Sequence, residues 1–311
     1  GSGKSTTSIV WAAQRIRDGL SPSRILLLAY NAKAGETLQA KLRDAIGAQA
    51  AARVWCGTFH SICWKLLRKL QPEDPRSQPS ALFGRGSSDE SEDQDAVRPG
   101  QLLGPALREA RLDVELSDVL GLSSLAREAC IEILPVYARG GAPLMEFLLP
   151  KFDGMSNRAW DLATAISIYE EVRRKHGRID YTDMLTAIHD ALRHESDWVK
   201  PVGGMFDACL LDEAQDANLI QHRIFDWISR NSKVSLKVGD VRQSIYGWRG
   251  ARMDLFISLE GEAARLPLRF NYRSDCSIVE HANRFAGGSP TWHIGGDAIP
   301  GPKAGRDAHA V

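Results

Sequence analysis

The segment that decides the fold is residues 209–216, CLLDEAQD, in which an apolar run ends in Asp212 and Glu213. A short apolar run of this kind is typical of a strand buried within a parallel sheet. Similar runs occur elsewhere, and the predicted strands are residues 24–30, 53–59, 206–212, 234–240 and 266–272. Helical patterns lie between or after most of them, most clearly at residues 5–17, 33–46, 61–70, 219–229 and 276–285. Strands that alternate with helices predict an α/β fold with a parallel sheet.

Two stretches depart from this alternation. Residues 71–100 contain four prolines and the acidic run DESEDQD at 89–95, a composition that predicts a solvated, disordered linker. Residues 101–177 read as helices only, with apolar residues at helical spacing in 102–112, 122–134 and 160–175. We therefore expect an all-helical subdomain inserted into the α/β domain.

Composition sets limits on the possible functions. The length of 311 residues corresponds to about two domains. Lys plus Arg equals Asp plus Glu, at 39 each, so any nucleic acid would be bound by local clusters and stacking rings. The five cysteines are odd in number and form no Cys-x-x-Cys pair, which favours reduced thiols in a cytoplasmic protein. No apolar run reaches the roughly 18 residues of a membrane span.

Residues 1–6 read GSGKST, and Gly3, Lys4 and Ser5 match the end of the phosphate-loop pattern G-x-x-x-x-G-K-[ST]. Glycine lets backbone N–H groups curl around phosphates, Lys4 supplies a charge to the β- and γ-phosphates, and the Ser5 hydroxyl can ligate Mg²⁺. The positive end of the following helix would face the anion. The pattern's first glycine would precede residue 1, and Gly-Ser-Gly also occurs in flexible linkers, so the alternative of a linker stays open for these residues alone.

The acidic strand end and the segment 238–251, VGDVRQSIYGWRGA, carry further candidate chemistry. Beside a phosphate loop, Asp212 would hold Mg²⁺ and Glu213 would polarise the attacking water as general base. The alternative is that Asp212 and Glu213 are ordinary charged residues at the boundary between a strand and a surface loop. Gln243 shortly follows a predicted strand end, where an amide could sense the γ-phosphate. Aromatic rings interleaved with arginine suit stacking on a single strand, although an aromatic pair in a core is the simpler alternative.

Taken together, these segments resemble superfamily 1A helicases of the UvrD/Rep/PcrA type. They follow the order of the family's motifs and span most of the chain. The matching segments are GSGKST (1–6), LLLAYNAKAGETLQAKL (26–42), GTFHSICWKLLR (57–68), IDYTDMLTAIHDAL (179–192), LLDEAQD (210–216), VGDVRQSIYGWRGA (238–251) and LRFNYRS (268–274).

The resemblance implies a role for each matching position. Glu213, Gln243 and Arg273 would be catalytic, with Arg273 reaching the γ-phosphate as an arginine finger. Mg²⁺ would be held by Ser5 and Asp212. The ATP-binding residues would be Gly1, Ser2, Gly3, Lys4, Ser5, Thr6, Asp212 and Tyr272, the last of these near the adenine. The single-stranded DNA path would be formed by Tyr30, Thr58, Phe59, His60, Tyr246, Trp248 and Arg249.

The resemblance also implies a domain layout and an activity. Residues 1–75 and 178–265 would form a RecA-like ATP-binding domain (1A), 76–177 a helical insertion (1B), and 266–311 the start of a second RecA-like domain (2A). The activity would be that of an ATP-dependent DNA helicase, with a role such as DNA repair, moving 3′ to 5′ on single strands and acting at junctions between single and double strands. Motifs V and VI would lie beyond Val311, so we expect the chain alone not to unwind duplex DNA.

Three alternatives remain at this stage. A phosphate-loop ATPase that is not a helicase would explain GKST and DEAQD but not QSIYGWRGA or NYRS. A DNA-binding relative with a degenerate site would not need the retained Lys4, Glu213 and Arg273. A helicase–nuclease subunit of the same superfamily fits every segment.

Overall fold

The computed structural model describes residues 3–78, 82, 98–134, 142–152, 156–258, 263–287 and 297–300. Most of the acidic linker predicted at residues 71–100 lies outside these ranges. Within them, the strands are β1 (Ile25–Ala29), β2 (Trp55–Thr58), β3 (Ala208–Leu211), β4 (Val234–Lys237), β5 (Phe270–Asn271) and β6 (Ile299–Pro300). The α-helices are α1 (Lys4–Arg17), α2 (Ala32–Ile46), α3 (Ala48–Ala51), α4 (Phe59–Leu70), α5 (Pro99–Glu109), α6 (Leu116–Glu128), α7 (Ala142–Leu148), α8 (Ser156–Lys175), α9 (Tyr181–Arg193), α10 (Leu219–Ser229), α11 (Met253–Ile257) and α12 (Cys276–Gly287).

The main sheet of the described chain is parallel throughout and has the strand order β2-β1-β3-β4. Every residue of β1 and β3 is buried, because both strands have a neighbour on each side and helices cover the sheet. Leu26 of β1 lies opposite Trp55 of β2 and Cys209 of β3. The predicted mixture of helices with a parallel sheet is thus confirmed.

The fifth predicted strand, residues 266–272, is shorter than expected. Only Phe270 and Asn271 form a ladder, pairing in parallel with β6 in a separate two-stranded sheet. Leu266 and Leu268 are 77% and 43% exposed, so their apolar side chains are not buried against the main sheet. The alternating apolar residues of this segment therefore predicted a longer strand than the one that forms.

The chain divides into two compact units. The first contains residues 1–59, 202–217 and 225–311, and the second contains residues 60–201 and 218–224. In the first unit, side chains of α1 and α2 bury the apolar faces of β1 and β3 around Leu27, Leu38 and Leu210. This packing holds the strand ends and the start of α1 in place.

The second unit, in its described part, is built mainly from helices. Leu107 of α5, Val119 of α6, Leu148 of α7 and Ile166 of α8 belong to one buried cluster. The borders of this unit do not coincide with those of the expected insertion, residues 76–177, whose assignment to a named domain stays a prediction.

Two helices of this unit are displaced from their predicted positions, 102–112 and 122–134. Helix α5 ends at Glu109 and α6 ends at Glu128, because Arg111 and Cys130 adopt positive φ angles of 55° and 57°. Each reversal is closed by a backbone hydrogen bond, from Leu112 to Leu107 and from Ile131 to Ala126. Apolar periodicity continues through both turns, which is why the pattern alone misplaced the helix ends.

A buried ionic network joins α6, α8 and α9 in the second unit. Arg127 pairs with Asp180, with Asp183 at 3.2 Å and with Glu170 at 3.4 Å. Arg173 also pairs with Glu170 and Asp183. Asp180 and Asp183 additionally form the capping box that begins α9. These acids therefore have a structural role that fixes the three helices to one another.

None of the helices in the described part of the chain combines the length and apolar composition required to cross a bilayer.

Candidate functional site

The candidate site lies at one edge of the main sheet. In a parallel sheet the carboxyl ends of all strands meet at the same edge, where ligands of open α/β sheets bind. Tyr30 follows β1, Asp212 follows β3 and Gly239 follows β4. Three segments that the sequence singled out separately are thus brought to the same edge.

The start of α1 is suited to bind an anion. Gly3 caps this helix with φ 80° and ψ 18°, a left-handed conformation that glycine adopts without steric cost. No acidic residue occupies the first turn of α1, so its unpaired backbone N–H groups and positive helix end are not neutralised there. Gly1 and Ser2, which were also expected to bind phosphate, lie outside the described residues.

A pocket at this edge joins the start of α1 to three distant segments. Lys4 and Glu213 contribute to its lining, as do Gln243 and Arg273 from later in the chain. The complete lining is Gly3, Lys4, Ser5, Thr6, Lys41, Glu213, Gln243 and Arg273. The lining has three cationic side chains against the one carboxylate of Glu213, and with the end of a helix this net positive charge favours a polyanionic ligand. We call this the α1 pocket.

Lys41 is a lining residue that the sequence reasoning missed. It lies on α2, within the segment 26–42, of which only Tyr30 was given a role in the sequence analysis. Another lysine, Lys33, occupies the same helix and is not part of the lining. No sequence feature separates the two, because only the position of α2 against the sheet decides which of them faces the pocket.

Lys4 and Glu213 form an ion pair across the pocket, with Nζ 2.9 Å from Oε2. Burial opposes ionisation of Glu213, but hydrogen bonds from Lys4 and Gln215 outweigh it and lower the pKa of this carboxyl. Glu213 is therefore ionised and already held by the cation that a phosphate would attract.

Glu213 also has an unusual backbone conformation, with φ 50° and ψ 45°. Of the four described non-glycine residues with positive φ, Glu213 lies two residues after a strand, whereas Arg111, Cys130 and Glu195 each lie two residues after a helix. A left-handed non-glycine residue costs about 1 kcal/mol or more, and such strain is concentrated at functional sites. Here the turn directs the carboxylate of Glu213 to Lys4 rather than along the strand.

Asp212 is buried next to Glu213, with 3% of its surface exposed, and does not itself line the pocket. Its Oδ1 accepts the backbone N–H of Glu213 at 3.1 Å. Burial and the neighbouring negative charge of Glu213 raise the pKa of this carboxyl. A cation close to Asp212 would oppose both effects by stabilising the ionised carboxylate.

The residues at this edge fit Mg²⁺ bound together with phosphates. No cluster of three or more His, Cys, Asp or Glu suited to a metal occurs among the described residues. A Mg²⁺ ion on nucleotide phosphates needs only one or two protein oxygens, since phosphate and water supply the others. The Ser5 hydroxyl and the buried Asp212 carboxylate are donors of that kind.

Gln243 lines the pocket from a 3-10 turn, Val241–Gln243, that follows β4. Its Nε2 donates to Oδ2 of Asp240 at 2.6 Å, and Oδ1 of Asp240 accepts the backbone N–H of Arg242 at 3.0 Å. The amide of Gln243 is thus held at the rim of the pocket by the residue that begins its own turn.

Four of the residues expected on the DNA path form one surface in the first unit. The rings of Tyr30 and Tyr246 stack with centroids 5.2 Å apart and an interplanar angle of 29°. The guanidinium of Arg249 lies 6.0 Å from the Tyr246 centroid and 5.4 Å from that of Trp248. Trp248 is 72% exposed, so the ring is available to a ligand. We call these four residues the aromatic surface.

Other residues of the expected DNA path are placed differently. Thr58 is half-buried at the end of β2. Phe59 is only 2% exposed and part of the core, so its ring has no free face for a base. His60 belongs to the second unit, where its ring lies 6.2 Å from that of Tyr181 and burial lowers its pKa. Tyr272, expected near the adenine, is half exposed, packs 6.2 Å from Phe270, and is not in the pocket lining.

A parallel sheet with a Gly-Lys-Ser loop and an acidic strand end at one edge is the arrangement of a phosphate-loop protein. The family described as "UvrD/REP helicase N-terminal domain" matches residues 1–264, so the chain belongs to this family.

Individual relatives agree with this assignment. The chain is 25% identical over 290 residues to ATP-dependent DNA helicase PcrA of Leuconostoc citreum, covering 91% of this chain and 35% of that protein. It is 26% identical over 293 residues to DNA helicase II of Haemophilus influenzae, covering 91% and 37%. It is 24% identical over 280 residues to PcrA of Staphylococcus aureus, covering 85% and 33%. The chain thus spans between 33% and 37% of the length of these curated relatives.

Proposed function

We propose that this chain is the ATP-binding part of a DNA helicase of UvrD type, which couples ATP hydrolysis to movement along single-stranded DNA. The observation that carries the proposal is the α1 pocket, which joins Lys4, Glu213, Gln243 and Arg273 from four separate segments. The aromatic surface occurs in the same compact unit. Family membership and relatives named as DNA helicases support the same interpretation.

The triphosphate of ATP would bind at the start of α1. Backbone N–H groups from Gly3 to Thr6, with Gly1 and Ser2, would surround the phosphates, and Lys4 would exchange Glu213 for phosphate oxygens. Lys41 and Arg273 would contribute the remaining positive charge. Tyr272 would contact the adenine. Mg²⁺, held by Ser5 and Asp212 together with phosphate oxygens, would neutralise charge on the phosphates.

Hydrolysis would depend on release of the Lys4–Glu213 pair. Oε2 of Glu213 accepts from Lys4 at 2.9 Å, so the carboxylate is occupied until a phosphate attracts the ammonium group. The freed Glu213 would then orient the attacking water as general base. Gln243 and Arg273 would contact the γ-phosphate, and Arg273 would stabilise the charge that develops during transfer.

The DNA would pass over the aromatic surface. Stacking on an exposed ring such as Trp248 binds bases of any sequence, while Arg249 would contact the backbone phosphates. Thr58 and His60 would extend the path, and the buried Phe59 would support it from the core. The polarity, 3′ to 5′, and action at junctions are proposed from the family resemblance.

The domain arrangement belongs to the same proposal. Residues 1–75 and 178–265 would form the RecA-like domain 1A, with 76–177 inserted as domain 1B, and 266–311 would begin domain 2A. The parallel sheet with helices packed on it supports the first of these, and the mainly helical second unit supports the second.

ATP turnover of the full-length protein, measured with and without single-stranded DNA, tests the proposal. We expect turnover to rise when DNA is added and to be lost in Lys4→Ala, because the charge that grips the phosphates is removed. Lys233→Ala is a matched control, since Lys233 has a 76% exposed side chain and directly precedes β4, at the amino ends of the strands rather than at the carboxyl ends where the pocket lies. Normal turnover in Lys4→Ala, or turnover that DNA leaves unchanged in the unaltered protein, would contradict the proposal.

A further inference from the structure

Gln215 is a buried side chain at the site to which the proposed mechanism assigns no role. It lies in the 3-10 turn Ala214–Asp216 after β3 and is 1% exposed. Its Nε2 donates to Oε2 of Glu213 and to Oδ2 of Asp216, both at 3.0 Å. Its Oε1 accepts the backbone N–H of Asp240 at 2.9 Å. One amide therefore links the turn after β3 to the turn after β4.

The chemistry of these contacts requires an amide in one orientation. Both N–H groups of Gln215 face carboxylates, and its oxygen faces an N–H group. A reversed amide would place its oxygen against two carboxylates and its NH₂ against a donor. A glutamate at this position would add a third negative charge. The amide of Gln215 thus holds both turns in a fixed mutual position.

The second turn leads directly to Gln243 and then to the aromatic surface. Asp240, whose N–H is bound by Gln215, holds the Gln243 amide through its own carboxylate at 2.6 Å. The hydroxyl of Ser244 donates to the backbone carbonyl of Gln215 at 3.3 Å. Tyr246 follows two residues later. Gln215 therefore binds both ends of the turn that presents Gln243.

Gly239 leaves the space that this arrangement needs. A Cβ atom at Gly239 would lie 2.6 Å from Oε1 of Gln215 and 3.1 Å from the ring of Phe256. Real side chains do not approach so closely, so an alanine there would displace the amide of Gln215 or the aromatic ring. The close approach gives an independent way to disturb the contact without altering Gln215.

The same oxygen of Glu213 accepts from Lys4 at 2.9 Å and from Gln215 at 3.0 Å. We propose that Gln215 is a positioning residue that couples phosphate binding at Lys4 to the turn of Gln243 and the aromatic surface. When phosphate draws Lys4 away, the hydrogen bond from Gln215 keeps Glu213 oriented. Because the same Gln215 side chain also binds the N–H of Asp240, a movement of Glu213 also moves Asp240. This inference rests on the proposed function, because it presupposes that the pocket binds ATP and the aromatic surface binds DNA.

The test compares Gln215→Met with Gln221→Met in the full-length protein. Methionine keeps the approximate volume but removes the amide. Gln221 is also a buried glutamine, 6% exposed, and its Oε1 accepts the backbone N–H of Asn218 at 3.1 Å in the second unit. Both variants therefore lose a buried amide, but only the first loses the link between the two turns.

The decisive measurement is the factor by which a non-hydrolysable ATP analogue changes the affinity for oligo-dT. For Gln215→Met we expect the analogue to change the affinity for oligo-dT by no more than about twofold, because coupling between the two sites is lost. Affinity for the analogue without DNA should change by less than about threefold, and kcat should fall by up to about a hundredfold as Glu213 loses its orientation. Gln221→Met should keep the wild-type factor and kcat. A merely structural role would change the melting temperature of both variants without altering the factor.

Gly239→Ala provides a second variant if Gln215→Met does not fold, and the same loss of coupling is expected. Unchanged coupling and kcat in a folded Gln215→Met or Gly239→Ala protein would overturn the inference while leaving the proposed function intact. An unaltered protein with no DNA-stimulated turnover would instead contradict the proposed function, and the inference would fall with it.

Discussion

Replacement of Trp248 by alanine should weaken single-stranded DNA binding by about 30-fold. A tryptophan side chain offers up to about 250 Å², and Trp248 is 72% exposed, which leaves about 180 Å² for a ligand. A base stacked on one face covers about half of this area, and at about 25 cal/mol per Å² the loss is about 2 kcal/mol. This value lies within the range of about 1–3 kcal/mol per stacked base, and 2 kcal/mol corresponds to about 30-fold in Kd.

The assay is a fluorescence-anisotropy titration of the full-length protein with labelled oligo-dT at fixed salt, because phosphate contacts make affinity salt-dependent. Trp160→Ala is the matched control, since Trp160 is 55% exposed but lies on α8 in the second unit. Melting temperatures should change little in either variant, as both rings are largely in solvent. An unchanged Kd for Trp248→Ala, or an equal loss for Trp160→Ala, would refute the assignment of the aromatic surface to DNA.

Two further predictions concern hydrolysis and stability. Glu213→Gln should still bind a fluorescent ATP analogue but lose turnover by about 100-fold or more, because a neutral amide cannot act as general base; turnover near the wild-type rate in a steady-state ATPase assay would contradict this role. The side chains of Asp190 and Cys130 raise the pKa of His189 to about 9, above the ordinary value of 6.5, so its stabilisation should be complete below pH 6.5 and lost as pH rises through 9. The shift corresponds to at most about 3 kcal/mol, which screening at the exposed Asp190 reduces to about 1 kcal/mol. Thermal melting between pH 6 and pH 10 should therefore show a steeper loss for the unaltered protein than for His189→Gln, and parallel curves would exclude this effect.

Apolar patterning alone determined most of the sheet. The runs around Leu27, Cys56, Leu210 and Leu236 predicted four parallel strands, and all four occur in the structure within the predicted limits. In β1 and β3, which are buried along their whole length, this pattern is a continuous apolar run, whereas β2 and β4 are only partly buried. The parallel sheet could therefore be predicted without tertiary information.

Helix ends could not be placed in the same way. Arg111 and Cys130 end α5 and α6 by adopting positive φ angles, a conformation that neither residue type favours. The apolar residues after each turn pack on the same helical cluster, so the periodicity gives no indication of a break. The termination is a property of packing in three dimensions.

The sequence by itself also identified Lys4, Glu213, Gln243 and Arg273 as candidate site residues, because each lies in a short motif of specific composition. Only the tertiary structure placed Lys41 in the pocket lining, Phe59 in the core and Gln215 between two turns. Motifs report the residue types that a local chemistry requires. Contacts between residues far apart in the chain depend on how α2, β3 and β4 pack, and no local pattern contains that information.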